Sequence, residues 1–320
     1  MPFAATPYRA GLLLLVTTSV TAEPVSAAPP GSRTFTLTCA TTVNGLPAGK
    51  PVRVWVPVPQ TSPEQTVEVL EQSAPGRSRT TREAEYGNII WCIEAEPDAA
   101  GSVALTARYR VTRLPVTTAK AGADRVERFL QPDKLVPVGG KPLTLIAGKD
   151  LPVDPTAKVR ALYDVVFDHM KYSKDGVGWG RGDAAWACDS RFGNCSDFHS
   201  LFISLARSQK LPAKFEIGYG LPAAKGKGEI GGYHCWAKVN VGDDWLPVDI
   251  SEASKLGAKR DDYFGKLPPN RVAFTTGRDI TLEPKQTGGP LNLFVTPYVE
   301  VGGQTHPGDK VVTRVTFADE

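Results

Sequence analysis

Between residues 33 and 114 apolar and polar side chains alternate in short runs, and each run is cut off by Pro, Gly or Asn. Val52-Arg53-Val54-Trp55-Val56 is the clearest case, stopped by Pro57 and Pro59. A period of two puts the apolar residues on one face of an extended chain, so the run buries as a strand and not as a helix. Residues 34–38, 67–70, 88–93 and 104–112 read the same way, with Asn44-Gly45, Pro75-Gly76 and Gly87-Asn88 as turns. Short strands at this spacing predict a β-sandwich over residues 32–115. The 31 Gly and 27 Pro among 320 residues suit that architecture better than a helical bundle.

The second half has a different pattern. Residues 116–153 are rich in Pro, Gly and Lys but carry Phe129, Leu130, Leu135 and Val136, so they are expected to wrap between two domains and not to hang as a free tether. A core spanning 154–320 then begins. Asp154-Pro155 can start a helix, with Val159, Leu162, Tyr163, Val166 and Met170 at helical spacing. His169 on that helix reads as a structural or surface residue. The Gly-rich stretch 176–182 lacks the Lys-Ser/Thr pair of a phosphate loop and reads as a tight connection over a cleft. A second helix opens at Asn194-Cys195, carries an apolar stripe of Phe198, Leu201, Phe202, Leu205 and Ala206, and ends before Leu211-Pro212. Strands are expected at 213–218, 232–239 and 245–250, and two more in the tail at 291–300 and 310–317. His306 reads as a surface turn residue.

Arg9, the short apolar run 11–16 and the small residues Val25-Ser26-Ala27 form the pattern of a signal peptide over residues 1–27, with Val20-Thr21-Ala22 as an alternative cleavage site. The expectation is a secreted or periplasmic protein. No later stretch approaches the ~20 apolar residues of a membrane-spanning helix. A net charge of +3 supplies no field for holding nucleic acid. An oxidising compartment favours paired thiols, and five cysteines leave at least one over. Cys39 and Cys92 each lie in a predicted front strand, and a disulfide between them is expected. A Cys188–Cys235 bridge would leave Cys195 free.

Cys195 sits where a helix begins. Unpaired N–H groups and the helix dipole favour a thiolate there, and only the thiolate is a strong nucleophile. The same N–H groups can stabilise the oxyanion of a tetrahedral intermediate. A hairpin closed over Asn240-Val241-Gly242-Asp243 would set His234 opposite Asp249 on one sheet face. An Asp so placed can fix one imidazole nitrogen and leave the other facing outward. His199, four residues beyond Cys195, is a rival base without an evident carboxylate partner. A metal cage of Cys188, Cys195, His199 and His234 or Cys235 is a second rival, with a spacing outside the usual zinc patterns. Cys235 follows His234 on a strand, so its side chain is expected on the opposite face, away from the other three.

Gly193-Asn194-Cys195-Ser196-Asp197-Phe198-His199-Ser200-Leu201-Phe202, then Gly232-Tyr233-His234-Cys235-Trp236, then Val248-Asp249-Ile250, resemble the transglutaminase-like superfamily. Val54-Trp55-Val56-Pro57-Val58-Pro59 is similar to the front domain of bacterial members. The resemblance implies an α+β protein: an N-terminal β-sandwich followed by a papain-like, transglutaminase-like catalytic core with Cys195 as nucleophile, His234 as base and Asp249 as orienter. It implies no cofactor and no metal. The implied partner is a peptide or protein substrate, attacked through a thioester, with hydrolysis favoured over protein cross-linking; a non-catalytic binding module on the same fold is the alternative. Trp179 and Trp186 are candidates for lining the acyl site or for simple loop packing. N-terminal sequencing of the native protein is expected to start near Ala28, or near Glu23 if the earlier site is used; finding Met1 would refute export with cleavage.

Overall fold

The computed structural model describes residues 1, 30–120, 126–255, 257 and 260–320. The leader expected over 1–27 lies, apart from Met1, outside the described residues. The front strands are β1 (Arg33–Val43), β2 (Val52–Val58), β3 (Gln65–Ser73), β4 (Arg77–Arg82), β5 (Ile89–Ala95) and β6 (Val103–Arg113). Then follow β7 (Ala119–Lys120), α1 (Pro155–His169), β8 (Lys171–Tyr172), α2 (Ala184–Ser190), β9 (Phe192–Gly193) and α3 (Cys195–Ser208). After them come β10 (Ala213–Gly220), β11 (Lys227–Ile230), β12 (His234–Val241), β13 (Asp244–Val248), α4 (Ile250–Lys255) and β14 (Arg271–Thr276). The chain closes with β15 (Tyr298–Val301), β16 (Gln304–Thr305) and β17 (Val311–Asp319).

The front strands build two sheets, ordered β11-β17-β1-β6-β3 and β16-β15-β2-β5-β4. Phe35, Leu37, Leu105, Tyr109 and Val111 of the first meet Val54, Val56, Trp91 and Ile93 of the second in one buried cluster. The second sheet is covered on its outer face too: Trp55, Ile90 and Cys92 pack under Ile280, Leu282 and Phe294. This is why β2 is buried almost throughout although its sequence alternates. β4, all polar and mostly exposed, gives no periodic signal and forms as an edge strand on β5.

The tail strands, attached to the core by the sequence reading, hydrogen-bond to the sandwich. β17 runs beside β1 from Phe35↔Asp319 to Val43↔Val311, and β15 runs beside β2. Without them β1 and β2 would each present an open edge. The expected Cys39–Cys92 disulfide is absent, and both thiols are free. Cys39 faces the sandwich interior, whereas Cys92 points from the far side of its sheet into the outer layer. Side chains on opposite faces of a sheet cannot meet the geometry of a bridge.

The core sheet runs β14-β10-β12-β13-β7, and α3 packs on β10 and β12. α3 is buried on all sides through Arg207, including its polar face. The 126–146 segment covers part of that face: the Arg207 guanidinium donates to Ala213 O (3.1 Å) and to Gln131 O (2.7 Å) and pairs with Asp133 (2.6 Å). Phe129 of this segment stands between Tyr86 of the front strands and Trp245 of the core, at ring distances of 6.1 and 5.4 Å. α1 starts as expected, with Asp154 accepting from Ala157 N–H at 2.8 Å and Pro155 in the first turn.

Two front-domain amides read the backbone of β14 as a neighbouring strand would. Gln65 accepts from Ala273 N–H and donates to Ala273 O, both at 2.9 Å; Asn88 does the same with Thr276, both at 2.8 Å. Gln65 also accepts from buried Arg113 (3.1 Å), which pairs with Glu64, and Glu64 in turn pairs with Lys238 of β12. Lys238 and Glu216 are 3.0 Å apart. Glu216 is held down to about 2: burial pushes it up, but Lys238, Lys214 and Arg113 outweigh that. Gln65→Ala leaves the partly buried Ala273 N–H and C=O unpaired and takes an acceptor from buried Arg113; it should cost about 1–3 kcal/mol, read as a lower urea midpoint. An unchanged midpoint would mean these amides do not hold the domains together.

Candidate active site

Asn194 caps α3: its side-chain oxygen accepts from Ser196 N–H at 2.9 Å. Asp197 completes the capping box by accepting from Asn194 N–H at 2.9 Å. The same buried carboxylate reaches over to Gly180 N–H (2.7 Å) and Gly182 N–H (2.9 Å), fastening the Gly-rich loop to the start of the helix. Burial lifts the Asp197 carboxyl above its usual range against these donors. Gly193 is required by this arrangement, since a Cβ there would stand 2.4 Å from an Asp197 oxygen. Cys195 is the first residue of the helix, so its N–H has no intrahelical acceptor and is free to meet an oxyanion.

His234 opens β12, and its Nε2 lies 2.6 Å from Asp249 Oδ2. The hairpin register differs by two residues from the expected one. β12 pairs with β13 from Ala237↔Val248 to Val241↔Asp244, around a turn of Gly242-Asp243 alone. A shift of two leaves every side chain on its face, so His234 and Asp249 still meet, now diagonally. Strand β13 stops at Val248, and Asp249 caps α4: its Oδ1 accepts from Ser251 Oγ–H and Glu252 N–H, both at 3.0 Å. Arg271 of β14 donates to Oδ2 at 2.9 Å. Arg271 lay outside the sequence reading, because nothing local marks a residue 22 positions away. The cap was legible, since Asp249-Ile250-Ser251-Glu252 has the spacing of a helix start.

Burial alone would push the Asp249 carboxyl up, but His234, Arg271 and His199 hold it well below the usual range. His234 is raised to about 9: burial lowers it, and the Asp249 charge, the hydrogen bond to Asp249 and the Cys195 sulfur outweigh that. The Cys195 thiol is held well below its usual range, first by a hydrogen bond from Cys235, against burial, and then by His234. With Nε2 committed to Asp249, Nδ1 is the His234 nitrogen left for the thiol. The arrangement favours a thiolate–imidazolium pair next to a helix start, which is a competent nucleophile and acid.

His199 is placed otherwise. Its Nδ1 lies 2.8 Å from Cys195 O and donates to it, and its Nε2 accepts from Ile250 N–H at 3.2 Å. Burial lowers its pKa, so the ring stays neutral with both nitrogens occupied. It joins α3 to α4 and has no lone pair left for a base. Cys235 also departs from expectation. Its thiol points toward α3, with Sγ 3.7 Å from His199 Nδ1 and 3.9 Å from Ser196 Oγ. The expected Cys188–Cys235 bridge is absent, because Cys188 sits on α2 with its Sγ 3.8 Å from Lys141 O. Among the described residues the ligand-type trio close enough to share an ion is His234, Asp249 and Glu252; the cysteine cage is not assembled.

Beside His234 opens a cavity of about 340 Å³, lined by Lys174, Glu229, Tyr233, Glu252, Lys255 and Asn270 among others. Neither tryptophan lines it. Trp186 packs edge-on against Phe192 at 5.3 Å, and Trp179 lies near Lys174, 5.8 Å from Nζ to its ring. His169 is 2.7 Å from Cys188 O and His306 is 2.9 Å from Asn44 O.

Residues 147–250, which contain Cys195, His234 and Asp249, match the transglutaminase-like superfamily. An uncharacterized protein of Haemophilus influenzae is 29% identical over 191 residues, 49% of this chain and 51% of that protein, so the chain spans about half the length of this relative. The crystal structure of a "putative cysteine protease" from Cytophaga hutchinsonii superposes with a TM-score of 0.59 at 16% identity, covering 90% of this chain and 91% of that one. At that identity the likeness is one of fold.

The two histidines should separate by what their loss damages. His199→Ala strands Cys195 O and Ile250 N–H in the interior and should cost about 1–3 kcal/mol of stability. His234 holds no backbone group, but its loss takes a donor from the buried Asp249 carboxylate, so His234→Ala should cost stability too; what separates the two variants is the reactivity of Cys195, which should fall far more in His234→Ala. Urea unfolding alongside alkylation of Cys195 measures both; the reverse pattern would make His199 the base.

Proposed function

We propose that this protein, whose residues 147–250 form a transglutaminase-like domain, is an exported cysteine hydrolase acting on peptide or amide carbonyls. The observation that carries the reading is the convergence of Cys195 at a helix start, His234 beside it and Asp249 at 2.6 Å from His234. The Cys195 thiolate attacks the carbonyl carbon, and the negative charge that forms on oxygen is met by the Cys195 N–H. The C–N bond then breaks as His234 Nδ1 gives its proton to the leaving amine, and a thioester remains. Water loses a proton to the same nitrogen, attacks the thioester and frees the thiolate. Asp249 accepts from Nε2–H throughout and stabilises the imidazolium, while Arg271 and the α4 cap keep the carboxylate ionised and fixed.

The cavity beside His234 favours hydrolysis over amine transfer. Lys174, Glu229, Glu252 and Lys255 on its wall are charged groups that hold water, and His234, the group that must take a proton from an attacking water, shares that wall. No helix among the described residues is long and apolar enough to cross a membrane.

Cys195→Ala and His234→Ala should abolish turnover of a peptide library, and Asp249→Asn should lower it by roughly 10⁴ by analogy with the orienting Asp of serine proteases. His234 is charged below its folded value and loses that charge as pH rises through about 9, so turnover should fall on the alkaline side there. On the acid side the rate should hold well below the ordinary thiol range, because the thiolate persists there. Cross-linked products exceeding hydrolysed ones in the presence of a primary amine would replace the hydrolase reading by a transferase one.

A further inference from the structure

Residues 221–233 leave the core sheet between β10 and β12 and cross to the front sandwich, where β11 pairs with β17. Arg33 of β1 clamps the crossing. Its buried guanidinium forks onto Asp319 at 2.7 and 2.8 Å and donates to Pro222 O (2.5 Å) and Ala224 O (3.3 Å). Asp319 in turn accepts from Gly226 N–H at 2.6 Å. Among the described residues β11 has a strand on one side only, so one of its edges is open. The register says which backbone groups that edge presents. Asp319 N–H donates to Gly226 O at 2.8 Å, so these two residues face each other across the ladder. Antiparallel pairs alternate between bonded and non-bonded. Gly228 and Ile230 therefore give their N–H and C=O groups to β17, while Lys227 and Glu229 turn theirs to the open edge.

The cavity beside His234 is lined in succession by Glu229, Ile230, Gly231, Gly232, Tyr233 and His234 itself. Neighbours along an extended chain send their side chains to opposite faces, so a cavity that touches each in turn runs along the edge of the chain. Gly231 and Gly232 are exposed, with nothing within 4 Å of where a Cβ would stand, and their backbone lies open to another backbone. We propose that this edge is the substrate-docking strand: an extended peptide pairs with β11 through Lys227 and Glu229 and follows Gly231 and Gly232 to the reacting bond beside His234. Affinity then comes from main-chain hydrogen bonds, and the substrate is a chain segment with its own backbone groups unpaired, not a helix or a closed sheet of a folded protein. The Arg33 clamp keeps the edge in place before the peptide arrives. The proposal rests on the hydrolase reading and adds to it how the substrate is held.

The test uses two mixtures of blocked peptides, equimolar in residue at each position: dipeptides, and hexapeptides long enough to reach from the reacting bond to Glu229. Glu229→Pro removes one outward N–H; proline is tolerated on an edge strand where that group faces away from the ladder, and thermal melting checks the fold. Glu229→Ala keeps the N–H and controls for the side chain. The unaltered chain should turn over hexapeptides with a higher kcat/KM than dipeptides. Glu229→Pro should lower the hexapeptide value roughly three- to tenfold relative to Glu229→Ala, through KM, and leave the dipeptide rate and alkylation of Cys195 by iodoacetamide unchanged. Hydrogen exchange in Cys195→Ala reads docking without turnover, and decides the matter if Glu229→Pro does not fold. With hexapeptides present the Lys227 and Glu229 amides should slow, while those of Gly228 and Ile230, already bonded to β17, should not change. Exchange at Lys227 and Glu229 unaltered by hexapeptides, or a folded Glu229→Pro equal to Glu229→Ala, would overturn the proposal. Slowed exchange at these amides with no turnover by the unaltered chain would instead sink the hydrolase reading and leave β11 as a peptide-binding edge.

Discussion

The site depends on a single buried carboxylate. Asp249 is wholly inside the protein and remains ionised because four donors converge on it: His234 and Arg271 at one oxygen, Ser251 Oγ and Glu252 N–H at the other. An unpaired charge at that depth would be prohibitively costly. The donors come from β12, β14 and α4, so the same requirement that keeps the carboxylate charged fixes three elements against one another. Orientation of His234 and docking of α4 are therefore one constraint.

α3 shows a related economy. Its apolar stripe packs on the core sheet, as an amphipathic helix must, but its polar face is buried too. Each polar group there is used to hold another segment: Asp197 the Gly-rich loop, His199 the start of α4, Ser200 the Arg278 guanidinium, and Arg207 the 126–146 segment. Cys195 sits at the start of a helix that cannot tilt without breaking all of these. Rigidity of this kind keeps the Cys195 sulfur in register with His234.

The front sandwich reaches the site from behind. Gln65 and Asn88 hold the backbone of β14, the strand that carries Arg271, and Glu64 pairs with Lys238 on β12, the strand that carries His234. The last strand, β17, is paired with β1 on one side and with β11, an excursion of the core, on the other. The two halves of the molecule are thus interleaved in sequence as well as packed in space.

Local pattern was enough for front strands β1, β2, β3, β5 and β6, the start of α1, the helix behind Cys195 and the pairing of His234 with Asp249, because period and capping residues are properties of neighbours along the chain. Even the two-residue register error left that pairing intact, since a strand repeats every two residues. The rest depended on distance along the chain. Arg271 comes from a strand 22 residues past Asp249, β17 joins β1 across most of the chain, and Cys39 and Cys92 lie on faces that only the assembled layers define. Alternation turned Cys235 away from the predicted site, and only the docking of α3 on β12 decided that its thiol would lie against the first turn of the helix that Cys195 begins. The sequence by itself determined which side chains share a face; the tertiary structure decided what each face would touch, because contacts between distant segments are set by packing and by the partners that buried charges demand.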